Sequence, residues 1–166
     1  MSLAAHYQAM AAYNTWMNRK LYALAAELPA EERSRDLGAF FKSVAGTFNH
    51  LLLTDRVWLA RFTRTRVDGI RALDQILYDD FAELDRERAV TDAAIEAWAG
   101  QLTDDALHGD FTYKNMKGDP FVHPMWWAVS HFFNHQTHHR GQATTLFKQL
   151  GRDPGVTDLV AFLRTT

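Results

Sequence analysis

Four histidines crowd one stretch near the end of the chain, at His131, His135, His138 and His139. Neutral imidazole is the commonest protein ligand for divalent metals, and two imidazoles spaced i, i+4 share one face of a helix. With His131 set at zero and about 100° per residue, His135 falls at about 40°, His139 at about 80° and His138 at about −20°. Ala128 and Leu146 then lie at about 60°, Phe132 and Leu150 at about 100°, and Met125 and Ala143 at about 120°. The apolar face is therefore centred near Phe132, with His139 inside it and His135 on its edge. His131 and His138 fall outside, as surface or rim residues. Two buried imidazoles need partners for their ring nitrogens, and one ion would satisfy both. The competing reading is a pair of core histidines bonded to carbonyls or carboxylates; the spacing leaves the two open.

A mononuclear centre needs one or two further ligands. The chain has no cysteine, which excludes a thiolate zinc site, a Cys nucleophile and a disulfide framework. The zincin signature HExxH is absent, and no Glu-x-x-His occurs anywhere, which counts against a ferritin-like di-iron site. Ligand candidates outside this segment are His6, His50 and Asp55. Asp55 sits in the middle of an apolar stripe, whereas His50 is rotated by about 100° or more from the centre of that stripe. Periodicity on its own nominates Asp55.

The elements that must carry these residues read as four long helices. The first covers about 3–27, with Tyr7, Met10, Asn14, Met17, Leu21, Leu24 and Leu28 at alternating steps of three and four, and Pro29 closing it. The second covers about 39–63, with Phe41, Val44, Phe48, Leu51, Asp55, Trp58 and Phe62 on the same rhythm. Residues 64–77 read as a loop, and a more charged third helix runs over about 78–102. The segment 108–123, HGDFTYKNMKGDPFVH, alternates aromatics around a Lys-Gly-Asp-Pro turn and reads as a short hairpin or ordered loop. Pro124 opens the fourth helix, Gly151 stops it, and TDLVAFLR forms a short terminal helix. The fold expected is all-α, a four-helix bundle in a single domain over 1–166.

Hydrophobic residues make up 47% of the 166, enough for a packed core. The 18 basic and 20 acidic residues nearly balance, which argues against nucleic acid as a partner. There is no signal-peptide pattern at the N-terminus and no apolar run of membrane-spanning length, so a cytoplasmic location is expected.

Three segments, in order, resemble the DinB-like family: YNTWMN at 13–18, HLLLTDRVW at 50–58, and FNHQTHHRGQ at 133–142 followed by LFKQLG at 146–151. The closing TDLVAFL is similar as well. The resemblance implies a four-helix bundle, commonly a homodimer, that binds zinc or nickel with water completing the coordination. Carried over motif by motif, it assigns the metal to His50, His135 and His139, agreeing with the wheel on two and overruling it on the first. Asp55 and Arg140 match frequent motif positions; Asp55 either holds a ligand imidazole or makes a structural contact.

Three imidazoles leave a bound cation its full charge, able to lower the pKa of a water or to hold a thiol as thiolate. Family relatives include transferases using low-molecular-weight thiols such as bacillithiol or mycothiol, and maleylpyruvate isomerase. The function expected is thus a metal-dependent, thiol-using S-transferase acting on small molecules. A metal-dependent hydrolase and a non-catalytic metal-binding stress-response dimer are the alternatives. Tyr13 and Trp16, aromatic and off the main stripe of the first helix, suggest a homodimer face; the alternative is that Trp16 packs on the hairpin.

Overall fold

The computed structural model describes residues 2–165. Helix α1 (Leu3–Ala26) starts where the Ser2 hydroxyl accepts a hydrogen bond from the Ala5 amide at 3.1 Å. It ends three residues before Pro29, and the chain turns at once into a one-turn helix α2 (Ala30–Ser34).

Helix α3 (Val44–Thr63) begins five residues later than the hydrophobic rhythm suggests. Residues 39–42 form an isolated bridge, Lys42 takes a left-handed φ of 66°, and the Ser43 hydroxyl caps the helix by accepting from the Gly46 amide. Phe41, which fits the helical stripe, lies in this turn. A side chain at Gly46 would begin 2.1 Å from the Phe41 carbonyl oxygen, so the turn folds back onto the helix only because position 46 has none. After α3, residues 64–80 are irregular.

Asp80 caps helix α4 (Phe81–Ala99), and a one-turn helix α5 (Asp104–His108) follows. The expected hairpin forms from β1 (Asp110–Lys114) and β2 (Pro120–Pro124), antiparallel with Phe111 opposite His123 and Tyr113 opposite Phe121. Its turn is held by the Asn115 side-chain oxygen, which accepts from the amides of Lys117 and Asp119, with Gly118 at φ 91°. Helix α6 (Met125–Gln149) follows Pro124 directly and is stopped by Gly151 at φ 71°, while the Arg152 amide bonds back to the Phe147 carbonyl. Helix α7 (Leu159–Leu163) ends the described chain.

The four long helices α1, α3, α4 and α6 form the bundle, and its interior is split in two. One apolar cluster holds Leu21, Tyr22, Phe48, Leu52, Leu84 and Phe147, with the Tyr22 and Phe48 rings stacked 4.2 Å apart. The other holds Tyr7, Phe62, Ile95, Trp98 and Phe132, with Phe62 and Trp98 stacked at 4.5 Å. In each long helix the residues between the clusters are polar and buried: Asn14 and Asn18, Asp55, Arg88 and Asp92, Gln136 and Arg140.

Trp16 and Tyr13 pack against the C-terminal tail and not against the hairpin. Their rings lie 5.6 and 5.9 Å from Phe162 of α7, and the Tyr13 hydroxyl donates to the Thr157 carbonyl at 2.5 Å. The tail thus buries Tyr13 and leaves Trp16 half-buried. No helix among the described residues is long and apolar enough to cross a membrane.

Candidate metal centre

On α6 exposure follows the order set by the wheel. His139 is buried and His135 half-buried, while His131 and His138 are exposed. The buried face is wider than the apolar residues alone suggest, because Gln136 and Arg140 belong to it. His50 of α3 is only 5% exposed although it lies off the apolar stripe of its helix. Besides the His135 and His139 rings of α6, at 5.2 and 4.5 Å, a turn and a loop cover it. Phe41, from the turn before α3, stacks on the His50 ring at 3.8 Å with an interplanar angle of 17°. On its other side lies the irregular stretch after α3, whose Leu73 carbonyl accepts a hydrogen bond from His50 Nδ1 at 2.7 Å.

Helices α3 and α6 bring His50, His135 and His139 together so that one ring nitrogen of each lies within 4.8 Å of the others. His50 Nε2 and His135 Nε2 are 3.3 Å apart. Two nitrogens each about 2.0–2.1 Å from a tetrahedral zinc ion are themselves about 3.3 Å apart, so this pair already has the spacing of two ligands on one ion. His139 Nδ1 donates to the Gln142 side-chain oxygen at 2.8 Å. With the Nδ1 protons of His50 and His139 held by outside acceptors, both rings present an unprotonated Nε2 to the shared centre. Converging lone pairs repel unless a cation stands between them, so the donor set fits a divalent ion.

The environment also keeps these rings neutral. Burial pushes His50 down to about 4, against the opposing bond to Leu73 and helped by the nearby His139. Burial pushes His135 down to about 3, reinforced by His139, His50, His131 and His138. His139 is lowered too, chiefly by burial. At neutral pH a metal therefore meets neutral imidazoles rather than imidazolium cations. Metal occupancy is expected to stay flat from pH 8 to about 5 and to fall between about 5 and 3, lower than an unperturbed imidazole near 6.5 would give. Elemental analysis after dialysis across that range checks it; loss already complete at pH 6 contradicts the geometry. The metal-free protein has the matching stability profile. Folded-state values below the unfolded value near 6.5 mean that the unfolded chain binds more protons, so stability falls as pH drops below about 6.5.

The remaining candidates go elsewhere. His6 is exposed near the start of α1, its ring against Tyr7 at 5.3 Å. Asp55, the nominee of periodicity, bonds none of the three rings. Its oxygens receive Arg88 Nη1 at 2.7 Å and Gln136 Nε2 at 3.0 Å. Arg140 is buried, donates to the Asn14 side-chain oxygen, and lies 5.4 Å over the Tyr13 ring.

Two residues near the centre gave no sequence signal. Asn49, 1% exposed, accepts from the amides of Leu77 and Tyr78 and donates to the carbonyls of Ala45 and Tyr78. It thereby ties the irregular stretch that carries Leu73 to α3. Gln142, at about 20° on the wheel and so outside the apolar face, holds His139 and also donates to His138 Nε2 at 3.2 Å. Gln142→Ala is therefore expected to weaken metal binding by about ten-fold, as loss of a ligand's orienting partner does. A chelator-competition titration measures this, and an unchanged affinity removes Gln142 from the site.

Cavities open on both sides of the trio. One of about 500 Å³ is bordered by Phe40, Phe41, Asp74, His138 and Gln142, and one of about 530 Å³ by Thr54, Trp58, Arg61, Tyr113 and His131; His50 and His135 line both.

Against known proteins, the family model described as "DinB family" matches residues 1–166. The chain is 24% identical over 157 residues to "Protein DinB" of Bacillus subtilis (strain 168), covering 93% of this chain and 91% of that protein. A crystal structure of a DinB-like protein from Bacillus cereus ATCC 10987 superposes with a TM-score of 0.61 at 24% identity, over 86% of this chain and 91% of the other.

Proposed function

The chain belongs to the DinB family, and from that premise we propose that it is a metal-dependent S-transferase using a small thiol, with a zinc or nickel ion held by His50, His135 and His139. The observation that carries this is the convergence of the three imidazoles beside open cavities. A divalent cation held there would lower the pKa of a thiol so that it reacts as thiolate. The outside acceptors point the same way. His50 and His139 donate to a backbone carbonyl and a side-chain amide, both neutral. Carboxylate acceptors would raise the basicity of the ligands and dampen the cation. Among the described residues no carboxylate bonds the trio, which favours stabilising a thiolate over general-base hydrolysis.

The test is a turnover screen with several small thiols and electrophilic co-substrates, with and without chelator. Thiol-dependent, chelator-sensitive product formation is expected. Chelator-sensitive hydrolysis without thiol consumption would instead establish the hydrolase. Tight metal with no turnover of either kind would leave the non-catalytic metal-binding dimer.

We also propose a homodimer. Phe121, Val122, Trp126 and Trp127, on β2 and the start of α6, are exposed by 43, 61, 38 and 54%, and these uncovered apolar side chains support it. Light scattering at micromolar concentration is expected to give twice the 19.0 kDa chain mass; a mass near that of one chain overturns the proposal.

A further inference from the structure

The cavity of about 530 Å³ runs along α3 from His50 through Thr54 and Trp58 to Arg61, and is closed on the far side by His131, His135 and the hairpin residues Tyr113, Asn115, Lys117 and Asp119. That volume suits a small organic molecule. Its two ends differ in chemistry. At one end are the free nitrogens of His50 and His135; at the other is a guanidinium. Arg61 is eleven positions further along the helix than His50, about 16 Å of axial rise, shortened by the length of the arginine side chain and by its lean towards the start of the helix.

Arg61 is held in an unusual way. Its guanidinium carbon lies 4.7 Å from the centre of the Trp58 ring and 5.1 Å from that of Tyr113, so two aromatic rings hold it in place. Among the described residues no carboxylate lies within ion-pair distance of it and no acceptor takes a hydrogen bond from it. Asp119 borders the same cavity, but its Oδ2 accepts from Asn115 Nδ2 at 2.9 Å as part of the hairpin turn. Half-burial without an anion lowers the hold of Arg61 on its proton, partly offset by Tyr113. Five donors in a planar fork, oriented by rings and left unused, suit a bidentate carboxylate. Lys117, from the same turn, adds a second positive charge at the rim.

We infer that this cavity binds a small ligand carrying a carboxylate, with Arg61 as the residue that anchors the carboxylate while the ligand's other end reaches the His50–His135–His139 centre. This rests on the metal-site reading above and narrows the thiol to an acidic one. Arg61 is a specificity residue here. It lies three helical turns from His50 and touches none of the three imidazoles.

The test separates the two ends. Calorimetric titrations of the zinc-loaded protein use 6-mercaptohexanoate, 6-mercaptohexanol and hexanoate as probes. The first has both groups, the second only the thiol and the third only the carboxylate. Expected is that 6-mercaptohexanoate binds at least ten-fold more tightly than either. Arg61→Gln should abolish its advantage over 6-mercaptohexanol and leave its advantage over hexanoate intact. Arg61→Lys, which keeps charge without the fork, should retain an intermediate advantage, and it serves if the glutamine variant does not fold. If the acid and the alcohol bind the wild type equally, or if the advantage survives in both variants, the assignment of Arg61 is wrong whatever the thiol does. If hexanoate matches 6-mercaptohexanoate and both depend on Arg61, the carboxylate anchor stands and the thiol reading falls.

Discussion

Replacing His50, His135 or His139 by alanine is expected to lower metal affinity about a hundred-fold or more, about 2.7 kcal/mol, whereas His131→Ala and His138→Ala keep it within a few-fold. The five side chains have the same chemistry, so a cluster acting as a cluster would lose affinity evenly. Direction divides them. The three in the first group have ring nitrogens within 4.8 Å of one another. His131 points instead to the Trp58 ring at 5.1 Å, and His138 accepts from Gln142. Removing one of three protein ligands takes away a metal bond and leaves a buried polar gap, which the remaining pair cannot repair. Elemental analysis of protein purified without chelator, followed by competition with a chromophoric chelator, measures all five variants. Asp55 offers no substitute should His50→Ala keep its metal, since both its oxygens are taken by Arg88 and Gln136. Full retention in His50→Ala would therefore overturn the site itself.

How much of this the sequence carried depends on what covers each residue. The four long helices and the hairpin were legible because each packs one face on the others, and a face is a periodic signal. His135 and His139 were legible for the same reason, lying on a face of α6 that meets α3. His50 was not. Helical periodicity registers burial of an apolar stripe against other helices, and His50 lies off that stripe, covered by a turn and a loop through Phe41 and Leu73 as well as by the imidazoles of α6. Only its resemblance to the family motif indicated it. The same blindness explains the late start of α3. Phe41 has the spacing of a helical core residue, but Lys42 in left-handed conformation and the Ser43 cap place it before the helix. Gln142 and Asn49 act through side-chain hydrogen bonds across a short distance, and an amide side chain has no periodic signature. Asp55 misled for the opposite reason. It does lie on the buried stripe, where a polar layer between two apolar clusters looks, in sequence, like a ligand facing a site.

That layer supplies the second large effect. Arg88, 2% exposed, holds Asp55 Oδ2 at 2.7 Å through Nη1 and has Nη2 2.8 Å from Asp92 Oδ1. Asp92 also receives the side-chain amides of Asn14 at 2.9 Å and of Asn18 at 2.9 and 3.1 Å. One cation thus stands between two buried carboxylates from different helices. Arg88→Met keeps much of the side-chain volume but leaves both carboxylates without their counter-charge, and is expected to destabilise the fold by about 3–5 kcal/mol at neutral pH. Burial already raises Asp55 and Asp92 above the ordinary carboxylate range, with Arg88 as the main opposing influence. Without Arg88 they rise further, so in the variant the folded state holds protons that the unfolded state has released. Its stability deficit against wild type should therefore be largest near pH 8 and shrink as pH falls towards 5, where the two groups can become neutral. Urea denaturation followed by circular dichroism at both pH values measures the deficit. Asp55→Asn provides the control for the site. It keeps the shape and the bond to Gln136 while removing one charge, and since Asp55 bonds no imidazole of the trio it should alter stability but leave metal affinity within a few-fold. A hundred-fold loss of metal in Asp55→Asn would show that the polar layer and the metal centre are one structure, with Asp55 positioning a ligand through Gln136 and the turn of α6 that carries His135.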